Sequence, residues 1–226
     1  MIQHLTIELN NRIFKSIFGM FIFILYNIFV NTINCGTILV IAFLEFLYIQ
    51  LSHTIIFFLP LLIIAVYLLI ALEETYHIAM IFYLGKQDSI SHIDITKVKI
   101  GFISFIGGVC VCYKGMFKKS DIFYISIAGP IMPVFYLIIF ELILLIIKMI
   151  TPIDTTILFR ILLYSSIAPL SAFIPISRQN YLSDGYQIIL FIRKNKVSSK
   201  NVLLAITYTI KNMVHITINS SLKGIE

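Results

Sequence analysis

The chain has 226 residues, of which 59% are hydrophobic and 12% charged, and its mean hydropathy is +0.99. A soluble domain of this length cannot bury so much apolar surface, so the composition excludes an ordinary soluble protein and predicts a multi-pass membrane protein. The net charge of +6 does not indicate nucleic-acid binding. The basic residues cluster between apolar runs, where they anchor helices at an anionic lipid surface.

Apolar runs predict a series of helices along the chain. After a short polar start over residues 1–12, the predicted helices are 13–33, 36–51, 54–85, 122–149, 156–174, 183–192 and 201–218. The fold class that follows is an all-α polytopic membrane protein with about five to six transmembrane helices and a short membrane-associated β-hairpin. We expect three regions: an N-terminal transmembrane hairpin (1–53), a core (54–192), and a basic linker with a C-terminal helix (193–226).

The predicted hairpin lies in the longest non-helical region, residues 86–121. Within it, residues 101–111 read GFISFIGGVCV, which is apolar but too short to cross a membrane as a helix. Unpaired strand edges cannot face lipid, so we expect residues 100–113 to pack as extended, non-spanning chain against the helix of residues 54–85. The three cysteines, two of them in Cys110-Val-Cys112, provide no disulfide framework and indicate reduced or buried thiols.

The helix of residues 54–85 carries the main chemical signal, Glu73-Glu74-Thr75-Tyr76-His77. Ionisable groups inside an apolar helix are costly and usually functional. Glu73 and His77 lie about 40° apart around a helix, so they share a face, and Glu74 flanks them. This spacing follows the His-Glu-x-x-His pattern of metalloproteases with Glu73 at the first position. The alternative is a buried polar cluster that holds helices together.

Further motifs follow the first in a recognisable order. They are the glycine-bearing segment 101–111, Ala128-Gly129-Pro130 near the start of the next predicted span, and Asp184-Gly185-Tyr186 after a further span. Together with residues 73–77, this order resembles the site-2 protease family of intramembrane zinc metalloproteases over roughly residues 54–192. The small size and the Asp-Gly-Tyr form are most similar to members thought to mature small ribosomally made peptides.

The resemblance implies a role for each matching residue. His77 and Asp184 would be metal ligands, Glu74 would be the catalytic base, and Glu73 would take the place of the missing histidine. It also implies a membrane-embedded metalloendopeptidase that cleaves a membrane-associated or small ribosomally made peptide. Zinc would be the cofactor. Two carboxylate ligands also make Mn²⁺ or Fe²⁺ plausible. Asn180, Tyr76 and Ser183 are candidates for lining a path for water or substrate.

The expected surroundings follow from the same resemblance. The partners would be the lipid bilayer, a peptide substrate and an ABC exporter, and the location would be a bacterial cytoplasmic membrane. Two other functions stay open. A catalytically degenerate subunit could act in peptide immunity or export. A CAAX-prenyl-protease-like enzyme also has paired glutamates, and His215-x-x-x-Asn219 resembles one of its motifs. Asp184 could also be only an N-cap of the helix that follows it.

Charge leaves the orientation of the chain unresolved. Residues 86–121 and 193–200 are basic, and so is the start of the chain at Arg12 and Lys15, which favours the cytoplasmic side for all three. Three predicted spans between residues 13 and 85 would nevertheless place residues 12 and 86 on opposite sides. Either residues 13–51 do not cross twice, or one of these charge signals misleads.

Overall fold

The computed structural model describes residues 2–8, 16–52, 58–86, 89–101, 103–113, 117–151, 155–178 and 181–223. In chain order its elements are β1 (Ile2–Glu8), α1 (Ile17–Thr32), α2 (Cys35–Ser52), α3 (Phe58–Tyr83), β2 (Ile90–Ile100), β3 (Ile103–Tyr113), α4 (Lys119–Ile150), α5 (Thr156–Ser165), α6 (Ile167–Ala172), β4 (Ser177–Arg178), β5 (Tyr181–Leu182), α7 (Asp184–Asn195) and α8 (Ser199–Lys223).

The described residues contain fewer full membrane spans than hydropathy predicted. Among the helices that the structure describes, only α3 and α4 are long and apolar enough to cross a bilayer alone, and α1 with α2 adds a third span if this pair, bent by 88°, crosses once. The estimate of about five to six spans is therefore too high for the described part of the chain. The predicted span over 156–174 is divided between α5 and α6, because Pro169 has no N–H to continue the helix onto the carbonyl of Ser165.

Helix α3 lies at the centre of the structure. It packs against α1, α4 and α5, and its C-terminal half is buried on every side from Glu73 to Ile81. Its neighbour α4 extends beyond this core. The second half of α4 carries exposed apolar side chains up to Ile150, as expected for a helix surface that faces lipid. The motif Ala128-Gly129-Pro130 lies inside α4 rather than near its start.

A three-stranded antiparallel sheet covers one end of the helices, in the order β1-β2-β3. The short polar start contains a strand that the sequence did not predict, because residues 2–8 pair with β2 over all seven residues. The hairpin of β2 and β3 is longer than predicted. It turns at Gly101, whose φ of +58° suits glycine, and the register shifts opposite Gly107 at a β-bulge.

Hydrogen bonds dock the hairpin on the break between α1 and α2. The Ser104 N–H donates to Thr37 Oγ1 at 2.8 Å, and the Ser104 hydroxyl donates to the Thr32 carbonyl at 2.5 Å. Thr37 Oγ1 in turn lies 2.6 Å from the Ser104 carbonyl. Ser104 is fully buried, so these bonds satisfy polar groups that water cannot reach. The hairpin is thus held against the protein, as expected for a segment that cannot face lipid.

A buried carboxylate caps the start of α3. The two side-chain oxygens of Glu45, on α2, accept hydrogen bonds from the N–H groups of Phe58 and Leu59, each at 2.8 Å. These N–H groups have no partner within the helix, and the positive end of the helix dipole favours a negative charge there. Glu45 is 6% exposed, so the cap accounts for a charge in an otherwise apolar segment.

The pairing of β1 with β2 shows which segments of the chain lie on the same side of the membrane. Because β1 and β2 are hydrogen-bonded over residues 2–8, they lie on the same side of the membrane. If α3 crosses once, α1 and α2 together must also cross once, as the bent pair allows. The side chains of Lys119 and Lys194 lie together at one pocket, so α7 returns to the side on which α4 begins. The N-terminus, the hairpin and α7 therefore share one face.

Labelling of single cysteines tests this topology. In a background with the three native cysteines replaced by serine, we expect Gln3→Cys and Ile100→Cys to react with an impermeant thiol reagent from the same side of the membrane. Ile150→Cys, at the exposed end of α4, should react from the opposite side. Labelling of Gln3→Cys and Ile100→Cys from opposite sides would contradict the pairing of β1 with β2.

Candidate metal centre

Three potential ligands meet where α3 faces the start of α7. One donor atom each from Glu73, His77 and Asp184 lies within 4.8 Å of the other two. His77 Nε2 and Asp184 Oδ2 are 3.3 Å apart. The expectation that Asp184 approaches the motif, although far away in sequence, is met. Glu73 and His77 are each 8% exposed, so these ionisable groups are gathered in a buried site.

The imidazole of His77 is held in one orientation. Its Nδ1–H donates to the backbone carbonyl of Ile125 on α4, at 2.9 Å. A carbonyl can only accept, so this bond leaves Nε2 directed at the acidic residues. Metal-ligating histidines are usually oriented in this way by a hydrogen bond from their other nitrogen. Helix α4 therefore positions the ligand of α3.

Gly129 of the Ala-Gly-Pro motif leaves space for the imidazole of His77. A Cβ atom at Gly129 would overlap the His77 ring, so only glycine allows α4 to approach α3 this closely. Pro130 lacks an N–H, which leaves the carbonyl of Ser126 without its usual partner four residues on. Ser126 is also one of the residues that line the cavity beside the cluster.

The Asp-Gly motif places its carboxylate by a similar close approach. A Cβ atom at Gly185 would overlap the backbone carbonyl of Phe173, so glycine lets α7 begin directly against the end of α6. The N-cap of α7 is Ser183, whose hydroxyl oxygen accepts from the N–H of Tyr186, and Asp184 is the first helical residue. The alternative of Asp184 as the N-cap is therefore wrong, and its carboxylate is available to His77.

A cavity of about 300 Å³ opens beside the cluster. Polar side chains and a stretch of β3 form its wall. The lining residues are Glu74, His77, Ile81, Val109, Cys110, Val111, Cys112, Ile125, Ser126, Leu182, Asp184 and Gln187. Glu74 is 6% exposed, and its Oε2 has no hydrogen-bond partner within the described residues. Glu73 belongs to the ligand cluster but not to this wall. The two glutamates therefore differ in position, Glu73 behind the cluster and Glu74 facing the cavity.

The three candidates for a water or substrate path have different surroundings. The Tyr76 hydroxyl bonds to Tyr136 at 2.7 Å and Thr217 at 2.9 Å, and it lines a separate apolar cavity. One residue along a helix turns the side chain by about 100°, which directs Tyr76 away from the face of His77. Ser183 is buried and engaged in capping, where it also donates to the Ile174 carbonyl. Asn180 lies outside the described residues.

Sequence reasoning did not single out Cys110, Ser126 or Gln187 as cavity residues. Their only common signal is their place in the tertiary structure, on β3, α4 and α7. Desolvation in the cavity raises the pKa of the Cys110 thiol, and the negative charge of Glu74 raises it further. Cys110 is therefore a neutral thiol at neutral pH and lacks the thiolate character of a cysteine nucleophile.

The donor set fits a metal ion. Ligands about 2.0–2.1 Å from a tetrahedral zinc lie roughly 3.3 Å apart, which is the separation of His77 Nε2 and Asp184 Oδ2. Zinc accepts both imidazole and carboxylate ligands. Beside the cluster, the buried Oε2 of Glu74 has no hydrogen-bond partner within the described residues. A water molecule or a substrate bound at the centre would provide that partner. These residues could therefore hold a metal ion.

The motif that suggested a CAAX-prenyl-protease-like enzyme lies elsewhere. His215 Nε2 and Asn219 Nδ2 bond to each other at 2.8 Å on the exposed side of α8, and neither residue lines the cavity at Glu74.

No protein-family model, curated protein or solved structure matches this chain.

Proposed function

We propose that this chain is a membrane-embedded metalloendopeptidase similar to the site-2 proteases. Glu73, His77 and Asp184 bind a zinc ion, and Glu74 is the general base. The observation that carries the proposal is the meeting of these three donor atoms beside a buried, partnerless oxygen of Glu74 at an open cavity. Three protein ligands with one open position are typical of catalytic zinc, whereas structural sites are closed by four.

The chain's own residues supply the proton transfers. A zinc ion in this centre would polarise the scissile carbonyl and acidify water. Glu74 accepts the proton of the attacking water and passes it to the amide nitrogen as the peptide bond breaks. Asp184 and Glu73 would balance the two positive charges of a bound zinc ion. The buried setting strengthens each of these electrostatic interactions, because little water screens them.

The strand at the cavity favours an extended peptide as substrate. β3 is an edge strand of the described sheet, and its residues Val109 to Cys112 form part of the cavity wall. A peptide could add to this edge by main-chain hydrogen bonds, which would hold a scissile bond beside Glu74. This supports a membrane-associated or small ribosomally made peptide as the substrate. The proposed partner that removes the product is an ABC exporter, as the resemblance implies.

The shared face of the N-terminus, hairpin and α7 supports an active site that opens to the cytoplasm. This face carries most basic residues of the described loops and helix ends: Lys86, Lys97, Lys99, Lys118, Lys119, Arg193, Lys194, Lys196 and Lys200. The opposite face has Lys148 and Arg160. An excess of lysine and arginine marks the cytoplasmic side of a membrane protein, which fits a bacterial cytoplasmic membrane.

The unusual Glu73 provides the experiment that tests this proposal. Glu73→His exchanges a negative charge beside the metal for a neutral ligand, so the attacking water becomes more acidic and the pH optimum of cleavage should fall. The measurements are metal content and the pH–rate profile of detergent-purified protein on a fluorescence-quenched peptide library.

Two outcomes would overturn the proposal or its ligand set. If Glu73→His and Glu73→Ala both leave metal content and pH profile unchanged, Glu73 is not a ligand. If the wild type binds metal but cleaves nothing while Glu73→His gains activity, the natural chain is the catalytically degenerate subunit, and Glu73 is the cause.

A further inference from the structure

A second group of possible ligands lies on one face of the sheet, outside the centre at His77. In the register of β2 and β3, His92 is opposite Cys112 and Asp94 is opposite Cys110. Directly paired residues in an antiparallel sheet share a face, and so do residues two apart along a strand. An imidazole, a carboxylate and thiols are thus gathered on one surface of the hairpin.

Three of these side chains converge closely. His92 Nε2 lies 3.6 Å from Asp94 Oδ1, and Cys112 Sγ lies 3.7 Å from Asp94 Oδ2. One donor atom from each residue lies within 4.8 Å of the other two. A nitrogen, an oxygen and a sulfur at such separations form a donor set suited to zinc and related transition metals, because the thiolate disfavours Mg²⁺ and Ca²⁺.

Outer hydrogen bonds orient two of the three donors. The Ser91 hydroxyl lies 2.6 Å from Nδ1 of His92, which leaves Nε2 to face Asp94. The Thr6 hydroxyl of β1 donates to Asp94 Oδ1 at 2.9 Å and fixes the carboxylate. Such second-layer bonds are a regular feature of metal ligands, and losing one typically weakens metal affinity about 10–100-fold. The outer bonds distinguish this group from a chance meeting of polar side chains on a surface.

We propose that His92, Asp94 and Cys112 bind a second transition-metal ion of the zinc class. The ion would link β2 to β3, and Cys112 also belongs to the cavity wall at Glu74. Binding would therefore stiffen the strand that borders the first centre. The two centres share no ligand. The proposal rests on the sheet geometry alone and does not require peptidase activity.

Cobalt substitution separates the two centres. The centre at His77 contains no sulfur ligand, whereas the centre at Cys112 does, so only the second can show thiolate-to-Co²⁺ charge-transfer absorption. We expect detergent-purified wild type loaded with Co²⁺ to show this band and to bind about two ions per chain. Cys112→Ser should lose the band and about one ion. His77→Ala should lose the other ion and keep the band.

Matched variants test whether the absorption band comes from the centre at Cys112. Cys110→Ser, two residues away on the same strand, should keep the band. Thr6→Val removes the outer hydrogen bond with little change of shape and should weaken cobalt binding at this site about 10-fold. A wild type without the band would overturn the proposal, and so would a band that survives Cys112→Ser.

Discussion

Glu74→Gln should stop peptide cleavage while the metal stays bound. The amide keeps the size of the side chain but cannot accept the proton of the attacking water. General acid–base catalysis typically contributes 10²–10⁴-fold, so we expect kcat to fall by about that factor. Metal content should not change, because Glu74 faces the cavity and does not belong to the ligand cluster. Parallel measurement of metal content and cleavage rate by purified protein checks both parts.

The matched control for this change is Glu141→Gln. Glu141 is another glutamate of the membrane region, on α4, and it lies neither in the ligand cluster nor on the cavity wall. It should retain full activity. If Glu74→Gln cleaves peptide at the wild-type rate, Glu74 is not the base. If Glu74→Gln loses the metal, Glu74 is a ligand rather than Glu73.

His77→Ala should lose both metal and activity. His77 supplies the only nitrogen of the proposed ligand set, and two carboxylates alone hold zinc poorly. Loss of a second-layer partner already costs about 10–100-fold in affinity, so loss of a direct ligand should exceed about 100-fold. Metal analysis after dialysis against a weak chelator gives the affinity, and the peptide library gives the rate.

His215→Ala provides the matched control for the loss of an imidazole. His215 is exposed on α8 and bonds to Asn219, away from the cluster. We expect this variant to keep its metal and its activity. The opposite pattern, with His215→Ala inactive and His77→Ala active, would refute the proposed site and favour a CAAX-prenyl-protease-like enzyme. The two histidines therefore distinguish two classes of membrane protease.

Local sequence was enough to find the parts of the centre that one helix carries. Glu73, Glu74 and His77 lie within two turns of α3, so the helical period alone places them together. The start of α7 was predicted only to within about one residue, because Ser183 and Asp184 are both typical N-cap residues and the structure has Ser183 in that place. The extended hairpin followed from its length and its glycines, although its true extent, residues 90–113, was not apparent.

The sequence by itself determined a membrane protein with ionisable groups in an apolar helix, because hydropathy and helical period depend only on neighbouring residues. The tertiary structure decided which groups meet. The pairing of β1 with β2 and the docking of the hairpin on the bend between α1 and α2 depend on contacts between distant segments. Hydropathy separates the helices 13–33 and 36–51 but does not reveal the 88° bend between α1 and α2, so each helix was counted as a full span. The approach of α4 to His77 through Gly129, and of α7 to Phe173 through Gly185, likewise exists only once the helices are packed.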